Sequence, residues 1–88
     1  MAFYKVILKP SVHKDLRVLP KPIIRRVFET LEALQENPLP RQAIKLAGAE
    51  HLYRIRIGNY RLIYAISHQE RQVTIYYVRY RREVYRQI

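Results

Sequence analysis

His51 to Tyr85 reads HLYRIRIGNYRLIYAISHQERQVTIYYVRYRREVY, and the fold turns on how this stretch is divided. Gly58-Asn59 separates two runs in which apolar and polar residues alternate. That is the pattern of a β-hairpin closed by a two-residue turn, because glycine and asparagine accept the positive φ such a turn uses. With these two residues as the loop, Ile57 faces Tyr60, Arg56 faces Arg61, Ile55 faces Leu62 and Arg54 faces Ile63. Side chains alternate across a strand. Tyr53, Ile55, Ile57, Tyr60, Leu62, Tyr64 and Ile66 therefore share one face, and Arg54, Arg56 and Arg61 share the other.

The arginine face is a physical oddity. Like charges directly opposite one another on a sheet destabilise it, by a fraction of a kcal/mol to about 1 kcal/mol per pair. Either the three arginine heads splay into water, or the face is a preformed phosphate-binding surface that meets an anion. Downstream, a polar loop from Ser67 to Arg71 leads to a third strand over 72–79. If Ile66 faces Val73, then Leu62 faces Tyr77, and Val73, Ile75 and Tyr77 join the core face. Thr74, Tyr76 and Val78 would then lie on the arginine face, and a slip of one residue would invert every assignment. The tail, RYRREVYRQI from Arg79 to Ile88, is dense in arginine and tyrosine. If it turns helically, Arg81 and Tyr85 fall on one side, four residues apart.

The residues upstream read as scaffold. Phe3 to Lys9 is a strand candidate ended by Pro10. Ser11 offers an N-cap for two helical turns over His13 to Leu19, with Val12, Leu16 and Leu19 inward. Pro20-Lys21-Pro22 breaks the chain, and Pro22 suits the first turn of a second helix, where its missing N–H costs little. Ile23, Ile24, Val27, Phe28, Leu31 and Leu34 then follow a 3.6-residue period, so 22–36 forms an amphipathic helix with this stripe in the core. Asn37-Pro38 ends it. Residues 39–50 are a connector. The expected class is α+β, with an N-terminal strand, a two-helix hairpin on a largely antiparallel sheet of about four strands, and a short helical tail.

Composition narrows the function classes. The 88 residues suit one small domain with a modest core and no large buried cavity. The absence of cysteine excludes disulfides and cysteine-based nucleophiles or metal sites, and suits a reducing compartment. No apolar run reaches membrane-span length and no signal-peptide core is evident, so a soluble cytoplasmic protein is expected. The net charge of +10 points to a polyanionic partner. Residues 51–88 hold eight basic side chains, all arginine, against two carboxylates. Arginine suits planar, bidentate contact with phosphate better than lysine does. His13, His51 and His68 read as surface residues, the carboxylates are scattered, and neither a metal nor a cofactor is expected.

Tyr53-Arg54-Ile55-Arg56-Ile57, Gly58-Asn59-Tyr60-Arg61-Leu62-Ile63-Tyr64 and Arg79-Tyr80-Arg81-Arg82-Glu83-Val84-Tyr85 together resemble the RelE family of bacterial toxin–antitoxin systems, within the RelE/ParE superfamily. The resemblance spans nearly the whole chain and implies a single toxin domain over 1–88. It implies a ribosome-dependent endoribonuclease that cuts mRNA in the A site and is silenced by a tightly bound antitoxin, expected to be acidic. By position it assigns phosphate stabilisation to Arg61 and RNA binding to Arg54 and Arg56. Assistance to the leaving group falls on Arg81, with Arg79 or Arg82 in that place if the loop is shifted. Base stacking or proton transfer falls on Tyr85. Many relatives carry histidine where this chain has Tyr80, which weakens any role for histidine acid–base chemistry.

Chemistry agrees with that assignment. RNA cleavage by a 2′-hydroxyl needs the hydroxyl deprotonated, a crowded anionic phosphorane stabilised and the 5′-oxygen protonated. Guanidinium groups serve the middle task by charge-assisted hydrogen bonds. Positioning contributes roughly 7–11 kcal/mol when reactants are well oriented, and a ribosome holding the codon supplies that alignment. Tyr85 on a splayed base would be a usual single-stranded RNA contact. Two other classes stay open, a ParE-like inhibitor of DNA gyrase and a non-catalytic basic module that binds RNA or an acidic protein.

Overall fold

The computed structural model describes residues 3–49 and 51–82. Its elements run β1 (Lys5–Leu8), α1 (Pro10–Val18), α2 (Lys21–Glu36), β2 (Ile44–Lys45), β3 (Leu52–Ile57), β4 (Tyr60–Ser67) and β5 (Gln72–Tyr80). They build an α+β fold with a five-stranded sheet in the order β1-β5-β4-β3-β2. The fifth strand is β2, two residues of the expected connector that pair with Tyr53 and Arg54. The sheet is mixed, because β1 runs parallel to β5 with Val6 beside Val73 and Leu8 beside Ile75. A parallel neighbour needs a crossover, and the two helices and the β2–β4 segment provide it.

The central hairpin follows the sequence reading residue for residue, from Ile57 opposite Tyr60 to Leu52 opposite Ala65. Gly58 takes φ +59°, while Asn59 does not share the left-handed conformation. A Cβ on Gly58 would lie 3.4 Å from Arg26 Nη1 and 3.5 Å from Ile23 Cδ1, so α2 also crowds this turn.

The third strand departs from the expected register. Ile66 does face Val73, but the pairing shifts between Ile63 and Tyr64, so Leu62 faces Val78 and Ile63 faces Tyr77. Tyr76 is the extra residue of a β-bulge, which flips everything after it to the opposite face. Val78 therefore enters the core, 1% exposed, and Tyr77 leaves it. The core joins Val12, Leu19, Val27, Leu31 and Leu34 of the helical layer to Ile55, Ile57, Leu62, Tyr64, Val73, Ile75 and Val78 of the sheet. A second, smaller cluster on the other face gathers Leu46 and Ile63 with Ala49, Leu52 and Tyr77.

The helices differ from expectation in two places. Phe28, counted in the apolar stripe, is 48% exposed, because Val27, Leu31 and Leu34 complete the buried face without it. Ser11 is not an N-cap, since α1 begins at Pro10 with Lys9 before it. Its hydroxyl instead donates to the Tyr76 carbonyl across the bulge. The expected tail helix is visible only in the helical backbone of Arg81 and Arg82, and its remainder, Tyr85 included, lies outside the described residues. Among the described residues no helix is long and apolar enough to cross a membrane.

Tyr64 is the largest fully buried side chain, and its hydroxyl donates to the Pro38 carbonyl at 2.9 Å, tying the strand to the end of α2. Burial pushes this phenol well above the ordinary tyrosine value of 10.0, with Tyr53 beside it adding to the shift. The folded state thus holds the Tyr64 proton more tightly than the unfolded chain does. Its contribution is complete below pH 10 and is lost as pH rises further. Tyr64→Phe should cost about 1 kcal/mol near neutrality, from the lost hydrogen bond, and should flatten the fall in stability above pH 10. Urea unfolding of both proteins across that range checks this.

Candidate nucleic-acid interface

The bulge has a direct consequence for the arginines. Arg56 faces Arg61 across β3 and β4, and Arg61 faces Arg79 across β4 and β5. Opposite residues project from the same face, so the three arginines leave one face of the sheet in a cross-strand row. Arg79 reaches Asp15 of α1 at one edge, and Arg56 lines a cleft with Arg26, Glu29 and Thr30 of α2 at the other. Arg54 stands on that face too, opposite Ile63. The sequence reading put Arg54, Arg56 and Arg61 together, and the structure brings them together.

Each member of the row is held differently. Arg56 is exposed. Arg61 is 7% exposed, and its Nη1 donates to the Gly58 carbonyl at 3.1 Å and the Tyr60 carbonyl at 2.9 Å. The catalytic candidate is therefore locked against the hairpin turn by one nitrogen. Arg79 donates through Nε to Asp15 Oδ1 at 3.1 Å and lies over the Tyr77 ring, 4.3 Å from its centroid.

The turn also gathers the start of the tail, because the Arg81 backbone N–H donates to the Asn59 carbonyl at 2.9 Å. Three consecutive carbonyls, those of Gly58, Asn59 and Tyr60, thus bind the Arg61 guanidinium and the Arg81 backbone. Arg81 and Arg82 are exposed. Tyr85 lies outside the described residues. Tyr80 packs edge-on to Tyr60 with ring centroids 5.5 Å apart. The pair lines a cleft with Asp15, Val18, Leu19, Val78 and Arg79 at the open end of β5. His13, His51 and His68 are all exposed, and His68 Nδ1 is 2.8 Å from the Tyr4 hydroxyl.

Asp15 is the residue that sequence reasoning passed over. It is 9% exposed, and its second oxygen, Oδ2, accepts from the Val78 backbone N–H at 3.0 Å. Ser11 and Asp15 sit four apart on one face of α1, and that spacing was the available signal. Without the bulge in view, nothing in the sequence said what the pair would meet.

The comparisons with known proteins agree with this fold. Residues 6–85 match the family described as ParE toxin of type II toxin-antitoxin system, parDE. Over 75 residues the chain is 32% identical to a Methanocaldococcus jannaschii protein provisionally designated toxin RelE1, covering 82% of this chain and 83% of that one. The archaeal RelE–RelB complex from Pyrococcus horikoshii contains a chain 36% identical, with a TM-score of 0.80 over 90% of this chain and 96% of that one. The toxin–antitoxin complex RelBE2 from Mycobacterium tuberculosis gives 30% identity and a TM-score of 0.79, over 91% of this chain and all of that one (100%). The fold is that of a small toxin of a toxin–antitoxin pair. The chain belongs to the RelE/ParE superfamily of type II toxins, and within it is RelE-like.

The row should leave a mark on stability. Arg56→Gln removes one like-charge contact and should stabilise the isolated protein by a fraction of a kcal/mol to about 1 kcal/mol at low salt. The gain should shrink as ionic strength rises. Urea melts of both proteins at low and high salt measure it.

Proposed function

We propose that this protein is a ribosome-dependent mRNA endoribonuclease, a single toxin domain over 1–88 that cuts mRNA in the ribosomal A site, acting in the cytoplasm. The observation that carries the reading is the cross-strand row of Arg56, Arg61 and Arg79 beside the turn that binds the Arg81 backbone. Cleavage proceeds, without a metal, by attack of the 2′-hydroxyl on the adjacent phosphate, which forms a 2′,3′-cyclic phosphate. The bond to the 5′-oxygen of the next nucleotide breaks, and that oxygen leaves as a hydroxyl after taking up a proton. Arg61 and Arg81 stabilise the negative charge of the phosphorane, and Tyr85 serves as base or stacking residue. Arg54, Arg56, Arg79 and Arg82 hold the flanking phosphates. Arg61 is the preorganised member, because its Nη1 is already fixed by the turn carbonyls. Donors fixed before reaction need no reorganisation as charge develops. The ribosome supplies the alignment of the RNA that a protein of 88 residues has little surface to impose.

The proposed silencing partner is an acidic antitoxin that covers the arginine face. RelB accompanies RelE in the Pyrococcus complex. Covering that face would neutralise charges that repel one another in the free toxin.

Loss of one transition-state donor costs about 10²–10³ in rate. Arg61→Ala and Arg81→Ala should each lower ribosome-programmed mRNA cleavage on that scale, read by primer extension. Arg81 is exposed, so its variant tests the chemistry without disturbing the hairpin. Cleavage at the wild-type rate in both variants would remove these residues from the mechanism. The ParE description of the matching family favours a second reading, inhibition of DNA gyrase. A supercoiling assay with purified gyrase separates the two, and the nuclease reading expects no inhibition.

A further inference from the structure

We infer that Asp15 is a positioning residue, which fixes Arg79 in the arginine row and presents it to RNA. The inference rests on the reading of that row as the RNA site. Beyond Leu8 no strand among the described residues continues on the β1 side of β5, and α1 takes that place. Ser11 donates to the Tyr76 carbonyl and Asp15 accepts from the Val78 N–H, so one helix face brackets the bulge. The other Asp15 oxygen takes Arg79 Nε, and the Tyr77 ring supports the flat of the guanidinium. With Nε and one face occupied, the Nη donors form the end left for a ligand, and no described residue accepts from them. A long arginine side chain otherwise loses much rotamer freedom on binding, so holding it in place beforehand favours association.

The sign of one substitution decides the matter. Asp15→Asn removes a negative charge from an RNA-binding protein, so long-range electrostatics alone predicts tighter binding. Loss of positioning predicts weaker binding. Asparagine keeps an oxygen for the Val78 N–H, so the edge contact survives the change.

The test is a double-mutant cycle on the full chain, using fluorescence anisotropy of a short labelled single-stranded RNA at fixed salt, without ribosomes. Asp15→Asn should bind several-fold more weakly than wild type, and this loss should vanish in the Arg79→Ala background. Equal or tighter binding by Asp15→Asn, or the same loss with Arg79 absent, overturns the inference. If Asp15→Asn does not fold, Arg79→Lys decides. It keeps the charge but lacks Nε and the planar fork, so it should bind several-fold more weakly than wild type, and wild-type affinity would overturn the inference. Because cleavage is not the readout, a wild-type protein that fails to cut translated mRNA would sink the nuclease reading separately.

Discussion

One extra residue in β5 sets the chemistry of this surface. Without the bulge at Tyr76, the register that pairs Ile66 with Val73 would set Arg61 opposite Val78, and Arg79 would point at the core beneath the helices. With it, Val78 fills the core and Arg79 joins Arg56 and Arg61. A bulge leaves ladder groups unpaired and is held only where something else satisfies them. Here α1 does so, through the Ser11 hydroxyl and the Asp15 carboxylate. The same carboxylate that stabilises the irregular edge also neutralises one of three aligned arginines. Structure and electrostatics are solved at one residue.

That economy explains what could be read from the sequence. The hairpin was legible because its signals are local. A glycine at a tight turn and the alternation next to it, Arg54-Ile55-Arg56-Ile57 before and Tyr60-Arg61-Leu62 after, fix register without reference to any other part of the chain. The row of Arg54, Arg56 and Arg61 followed from the hairpin alone. The placement of Arg79 did not, because the bulge depends on a helix more than sixty residues away in sequence, about 63 between Asp15 and Val78. Alternation in β5 offers no mark of where it breaks, since Tyr76, Tyr77 and Val78 suit either face by composition. Phe28 was misplaced for a related reason. A helical period says which residues form a stripe but not how wide a sheet waits beneath it, and this one is satisfied by the residues beside Phe28.

Charge distribution separates the two sides of the fold. The outer face of the sheet concentrates arginine, while the exposed surface of α2 is divided, with Lys21, Arg25 and Arg26 in its first half and Glu29, Glu32 and Glu36 in its second, where Phe3 lines the groove beside them. A polyanion approaching the protein is therefore drawn to the sheet face rather than to the acidic half of α2, which orients encounter before contact. On the proposed function this polarity matters, because RNA held on a ribosome is reached from a limited set of directions.

The degree to which each arginine is restrained then grades their roles. Arg61 is bound to backbone carbonyls that belong to a turn already constrained by Gly58, so its position is set by the chain itself. Arg79 is set by a side chain on another element, and Arg56 is exposed at the row's end. A rigid donor is useful where geometry must be met at the reacting phosphate, and an adaptable one where a flanking phosphate needs only charge. On the proposed function, this order of restraint suits Arg61 to the reacting phosphate and Arg79 and Arg56 to flanking ones, with Arg56 the most adaptable. That is the order expected if the row grips one strand of RNA rather than serving as a uniformly charged surface.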